Sequence, residues 1–166
     1  LEGATSAVEA ALWRFLCDID LRTKVVAYPR PVDESIRWRL TAPRRGWVSE
    51  TLDLLWCRPL DVAACLAGRR YAVSDDLVLA VEDTVLPMNT GTYRVDGGPD
   101  GASCERVEAA PDLTLDVAAL GSIVLGGVDA GELAAADRIT AHTTGAAARA
   151  DRFFRWRPAA FCSTTF

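Results

Sequence analysis

The 166-residue chain lacks most of what the common site chemistries require. It has one histidine, His142, and no two of its five cysteines, Cys17, Cys57, Cys65, Cys104 and Cys162, form a C-x-x-C pair. A structural zinc site needs clustered thiols or imidazoles, so no metal is expected. The same odd, scattered set is a poor disulfide framework and points to a reducing, cytoplasmic compartment. No apolar run approaches the roughly 18 residues of a membrane span; the longest, 117–128, is broken by Gly121, Gly126 and Gly127. An initiator Met, a basic n-region and a signal-peptide apolar stretch are all missing ahead of Leu1, which predicts a piece of a longer chain. The glycines fit neither G-x-x-x-x-G-K-[ST] nor G-x-G-x-x-G, so no phosphate cradle is expected. Lysine is reduced to Lys24 against 17 arginines, a codon bias from which no function follows.

What is present is globular composition: 50% hydrophobic, 25% charged and 8% aromatic, which excludes disorder and low-complexity classes. The net charge of −5 is unevenly spread. Residues 1–70 carry 11 basic and 9 acidic groups, 71–137 carry 2 and 13, and 138–166 carry 5 and 1. Arg149, Arg152, Arg155 and Arg157, interleaved with Phe153, Phe154 and Trp156, have the look of a nucleic-acid surface. A pI near 4.9 opposes that reading, and a basic terminal helix packed on or beside an acidic sheet is expected instead.

Helical spacing of Val8, Leu12, Phe15 and Leu16 after a Ser6/Glu9 capping-box pair predicts a helix to about residue 18. A short β-branched segment, 23–28, reads as a strand ended by Pro29 and Pro31, and Asp33 is placed to cap a helix through Ile36 and Leu40. Val48, Leu52, Leu54 and Trp56 alternate like a strand over 47–57. Asp61 caps a predicted helix over 62–67, which Gly68 ends in the C′ role. Strand signals follow at 77–81, 92–95, 104–107 and 113–115, with 96–101 as a loop, and read as an antiparallel meander. Three helices come after it: one from about Val117 to Gly126-Gly127, one opened by Asp129 and Glu132, and one from about Thr144 stopped by Pro158. Strands first and helices afterwards is an α+β order.

Chemistry is sparse. Asp75-Asp76 and Glu82-Asp83 are carboxylate pairs, but neighbours in a strand point to opposite faces and cannot converge as acid and base, so solvated strand faces and ends are expected. His142 sits between predicted elements with no Ser or Cys motif and reads as a turn or cap residue. From motifs alone the chain reads as a binding or assembly domain.

The order of segments carries more. Ala11-Leu12-Trp13-Arg14-Phe15-Leu16 and Arg30-Pro31-Val32-Asp33-Glu34-Ser35-Ile36-Arg37-Trp38 resemble the end of the central domain of Eis-type (enhanced intracellular survival) acetyltransferases. Leu55-Trp56-Cys57-Arg58-Pro59-Leu60-Asp61-Val62-Ala63-Ala64 resembles the entry to their C-terminal sterol-carrier-protein-like domain. Asp116-Val117-Ala118-Ala119-Leu120-Gly121-Ser122-Ile123-Val124-Leu125-Gly126-Gly127, followed by Leu133-Ala134-Ala135-Ala136-Asp137-Arg138, resembles that domain's most recognisable stretch.

The resemblance implies an α+β chain in two parts. Residues 1–45 would be a remnant of a GCN5-related acetyltransferase-like domain, and 46–166 a sterol-carrier-protein-2-like domain with an antiparallel sheet plus helices. It implies a parent enzyme that transfers acetyl from acetyl-CoA to amines of aminoglycosides or polyamine-like acceptors and assembles as a homo-oligomer, a hexamer in the family. The family's acetyl-CoA loop, Arg/Gln-x-x-Gly-x-Gly/Ala, has no counterpart here, so the cofactor site is expected outside this chain, which alone would be inactive. The family's C-terminal carboxylate reaches the active site, which makes Phe166 the expected catalytic position. Thr165, where an acidic residue is typical, and Val124, where an aromatic is common, depart from the pattern. A second class of function, a non-catalytic lipid-binding or oligomerisation module, requires an apolar tunnel lined by Leu77, Leu79, Leu120 and Leu125. RNA binding through the basic tail is a third.

Overall fold

The computed structural model describes residues 5–164. The chain divides into two compact units, Leu1–Leu55 with Phe161–Phe166, and Trp56–Ala160.

In the first unit α1 spans Ser6–Cys17. Its cap is Thr5, one residue earlier than the spacing suggested: Thr5 Oγ1 accepts from Val8 N at 3.2 Å, while the Ser6 hydroxyl accepts from Arg39 Nη2 at 2.7 Å. Glu9 does not close a capping box because Arg30 holds it, Nη2 to Oε1 at 2.6 Å. Arg30 also donates from Nε to Glu34 Oε2 at 2.6 Å, and its guanidinium lies 5.6 Å from the Trp13 ring. Trp13 is the buried residue of α1, whereas Val8 and Phe15 of the predicted apolar stripe are exposed. The short helix α2, Ile36–Arg39, starts from Ser35 rather than Asp33, with Glu34 Oε1 accepting from Ile36 N at 3.1 Å. Neither 23–28 nor 47–57 forms a strand. A strand exists only through a neighbour that completes its hydrogen bonds. Trp47, Val48 and Trp56 are correspondingly exposed.

The second unit opens with α3, Val62–Ala67. Asp61 caps it by accepting from Ala64 N at 2.9 Å, and Gly68 ends it in a right-handed conformation, φ −77°, as the cap itself rather than as a left-handed C′ residue. Five strands follow: β1 Asp75–Glu82, β2 Gly91–Gly98, β3 Gly101–Arg106, β4 Leu113–Asp116 and β5 Ile139–Ala141, in the spatial order β3-β2-β1-β4-β5.

The first three strands are antiparallel neighbours, but the meander stops there. β4 crosses to the free side of β1 and pairs parallel to it, Leu79 opposite Leu113 and Val81 opposite Leu115. Asp112 fixes that crossing, its N–H donating to Val78 O at 2.8 Å and its Oδ2 accepting from Val78 N at 3.0 Å. The sheet is therefore mixed, and β1, at its centre, carries Leu77, Val78, Leu79 and Val81 as a nearly continuous buried run. The expected 96–101 loop contracts to a two-residue turn, because Gly98 pairs with Gly101. Gly97 stays in the strand with the Tyr71 ring against it; a Cβ there would stand 2.5 Å from Tyr71 Cδ2.

Three helices complete the unit: α4 Val117–Ile123, α5 Ala130–Ala135 and α6 Ala146–Phe154. Asp116 caps α4 by accepting from Ala119 N at 2.6 Å. Asp129 precedes α5 without a side-chain cap, since its carboxylate pairs with Arg155. The core joins Leu77, Leu79, Val95, Leu113 and Leu115 of the sheet to Leu66, Leu120, Ile123, Phe153 and Phe154 of the helices. At its centre the Tyr71 ring stacks on Phe153 at 3.9 Å and meets Phe154 edge-on at 5.7 Å, while Tyr71 Oη donates to Leu66 O at 2.9 Å. No helix among the described residues is long and apolar enough to cross a membrane.

Candidate functional site

The carboxylates expected to be solvated divide into two kinds. Asp83, at the end of β1, is only 3% exposed. Its Oδ1 accepts from Leu86 N at 2.9 Å, from Val85 N at 3.0 Å and from Arg58 Nη2 at 2.5 Å; its Oδ2 accepts from Asn89 Nδ2 at 3.0 Å. Burial pushes its pKa up, but the Leu86, Asn89, Val85 and Arg58 donors outweigh that and hold it at about 2. A carboxylate with its acceptor sites so occupied is a poor proton acceptor, and Asp83 organises the turn between β1 and β2. Asn89 extends the knot to the segment before α3, donating to Leu60 O at 3.2 Å and accepting from Val62 N at 3.4 Å. Asp75 is held by Arg149, Nη2 to Oδ1 at 2.9 Å and Nε to Oδ2 at 3.3 Å, and those bonds lower its pKa. Asp76 and Glu82 are exposed.

Two arginines in and just after α6 meet acidic partners in the same unit. Arg149 also reaches Asp112 Oδ1 at 3.6 Å, and Arg155 pairs with Asp129. Phe153 and Phe154 are core residues and Trp156 is exposed. His142 follows β5, its Nε2 within 2.8 Å of Thr114 Oγ1 on the neighbouring strand. No group of three or more His, Cys, Asp or Glu among the described residues is placed to hold a metal ion.

Sequence reasoning missed Arg69. Its guanidinium donates to Val124 O, where α4 ends, to Phe154 O, the last residue of α6, at 2.9 Å, and to Arg70 O at 3.2 Å. It also lies 4.4 Å from the Tyr71 ring centroid. Burial lowers its pKa, so this is a desolvated cation placed at the negative ends of two helix dipoles. No spacing rule could have found it, because its partners lie 55 and 85 residues away.

Two open clefts mark the surface of this unit. One, about 530 Å³, has Arg152, Arg155 and Asp151 over Ala72 and Val73; the other, about 330 Å³, lies among Cys57, Arg58, Cys65, Arg69 and Leu125. Leu77, Leu79 and Leu120 are fully buried in the core while Leu125 is half exposed, so these four do not line a common apolar tunnel. The glycine between β5 and α6, Gly145, is preceded three positions earlier by His142 where an acetyl-CoA loop has Arg or Gln, and that ring is committed to Thr114. These residues do not fit a pyrophosphate cradle. Phe166 lies outside the described residues.

Two family models divide the chain between them: a sterol carrier protein domain over residues 62–163 and an acetyltransferase (GNAT) domain over residues 1–58. The crystal structure of Eis1 from Mycobacterium abscessus superposes with a TM-score of 0.86 at 35% identity, covering 99% of this chain and 41% of that one. The chain belongs to the Eis-like N-acetyltransferase family. An uncharacterized N-acetyltransferase of Streptomyces coelicolor is 44% identical over 90% of this chain and 36% of its own length. The N-acetyltransferase Eis of Mycobacterium tuberculosis is 31% identical over 84% of this chain and 34% of its own. The chain thus spans little more than a third of these curated relatives. A GCN5-related N-acetyltransferase from Anabaena variabilis, TM-score 0.56 at 23% identity over 61% of this chain and 26% of that one, shares the fold. The α+β assignment holds, with a mixed five-stranded sheet in place of an antiparallel one.

Proposed function

We propose that this chain is the C-terminal part of an Eis-like N-acetyltransferase whose parent transfers acetyl from acetyl-CoA to amines of aminoglycosides or polyamine-like acceptors. Residues 1–45 end its central acetyltransferase-like domain, and 46–166 form its sterol-carrier-like domain. The chain supplies a terminal carboxylate and assembly contacts to a homo-oligomer, hexameric by family resemblance, and is inactive alone. The observation that carries the reading is the match to Eis1 along nearly the whole chain. The names of the Streptomyces and Mycobacterium relatives support N-acetyl transfer as the reaction.

In this reading the Phe166 carboxylate accepts the proton that an amine must lose to act as a nucleophile, a role worth a factor of about 10² to 10⁴. An ordinary α-carboxyl, with a pKa of roughly 3.3 to 3.7, is a weak base at neutral pH. An apolar surround raises it, and the charged form attracts a cationic acceptor. The test is to append a few glycines after Phe166 in the parent enzyme and to measure kcat/KM beside the melting temperature. Lost turnover with unchanged melting supports the carboxylate role; unchanged turnover rejects it.

A further inference from the structure

Two cysteines share one cleft. Cys57 lies on the irregular segment before α3, and Cys65 faces the same cleft from the last turn of that helix. The segment is held at the cysteine and just after it. The Cys57 carbonyl rides over Gly121 of α4, 2.9 Å from where a Cβ would stand, and the next residue, Arg58, is anchored on Asp83. Arg58 and Arg69 line the cleft beside the two cysteines, and burial pushes the Cys65 thiol up from its ordinary value with the Arg69 charge opposing that rise.

We infer that Cys57 and Cys65 form an oxidation site in which a peroxide joins them in an intramolecular disulfide. The exposed Cys57 is the first to react and the half-buried Cys65 resolves it. Cys57 thiolate attacks one peroxide oxygen; the S–O bond forms, the O–O bond breaks, and hydroxide leaves and is protonated to water. Cys65 thiolate then attacks the sulfenic sulfur; the S–S bond forms, the S–O bond breaks, and the second oxygen leaves as water after protonation. Two thiols lose two electrons to the peroxide, which is reduced to two waters. Cys57 adds to the upward shift of the Cys65 thiol, which places the two within electrostatic reach, while Cys104, pushed up to about 11 by burial, is not among the residues that line the cleft.

Both cysteines fall in one tryptic peptide, 46–69, because Pro59 blocks cleavage after Arg58. The folded wild-type chain is exposed to hydrogen peroxide, alkylated and digested. The expected result is loss of both alkylatable thiols from 46–69 with a mass two hydrogens lower, reversed by dithiothreitol. Cys65→Ser leaves Cys57 as a sulfenic acid that dimedone traps, and Cys57→Ser leaves Cys65 alkylatable. Dimedone labelling of wild-type Cys57 equal to that in Cys65→Ser, or a disulfide that joins either residue to Cys104 or to a second chain, overturns the inference.

Discussion

Replacing Arg69 with methionine keeps most of the side-chain bulk and removes the charge that binds α4 to α6. The two charge-assisted hydrogen bonds that reach the helix ends, to Val124 O and Phe154 O, are lost together with the exposed, local one to Arg70 O; each of the first two is worth about 1.5–3 kcal/mol before the cost of burying the cation is recovered. The contact with the Tyr71 ring, 4.4 Å away, adds about 0.5–1 kcal/mol. Relief of the desolvation that lowers the Arg69 pKa offsets part of this, leaving a net loss of about 3 kcal/mol. For a unit of this size each kcal/mol shifts melting by roughly 4 °C, so a fall on the order of 10 °C is expected. Urea unfolding followed by circular dichroism measures the free energy, and a thermal scan measures the shift. Arg69→Lys keeps the charge but lacks the planar fork, and recovers less than half the loss. A methionine variant within about 0.5 kcal/mol of wild type, the usual span of an inert surface change, refutes the clamp, as does a lysine variant of full stability.

Asp83→Asn lowers the melting temperature at neutral pH by leaving Arg58 without its carboxylate. Since the folded-state pKa of Asp83 is depressed to about 2, its contribution is complete above the unfolded value near 3.9 and is lost as pH falls through about 2. The gap between wild type and variant should stay constant from pH 5 to 8 and close at about pH 4 to 2; a gap that closes on raising pH instead contradicts the assignment. Gly126→Ala combines a left-handed backbone, φ +72°, with a Cβ 2.6 Å from Phe154 O, and chemical denaturation should show a loss above about 2 kcal/mol, the size of other strained-backbone substitutions. Tyr71→Phe removes only the bond to Leu66 O and should cost about 1 kcal/mol, whereas Phe153→Ala, which empties the stacked ring site, should cost about 3–5 kcal/mol by the same measurement.

The elements that could be read from the sequence are those with local causes. Asp61 and Gly68 sit at the two ends of α3, and β1 is long and apolar enough to be found without knowing its neighbours. Nonlocal causes were invisible. Nothing within 113–116 says that the strand pairs parallel to β1 rather than beside β3, and β5, three residues long, is defined only by its pairing with β4. The alternation over 47–57 was genuine, but periodicity describes which side chains could share a face and does not supply a neighbouring strand. Two of the capping errors share one reason: Glu9 and Asp129 have the right spacing, yet arginines from elsewhere claim their carboxylates. Asp83 reads as solvated from the sequence because one of the donors that let it be buried, Arg58, comes from 25 residues earlier. The family assignment, in contrast, rested on ordered segments along the chain and needed no pairing information.

The central claim is that this chain completes an amine acetyltransferase. The most direct measurement gives the intact parent enzyme acetyl-CoA and an aminoglycoside, and follows free thiol release together with the product's mass. The account predicts thiol release that depends on the amine, and a product heavier by an acetyl group. Thiol release without an acetylated amine, or no transfer to aminoglycoside and polyamine acceptors alike, contradicts it.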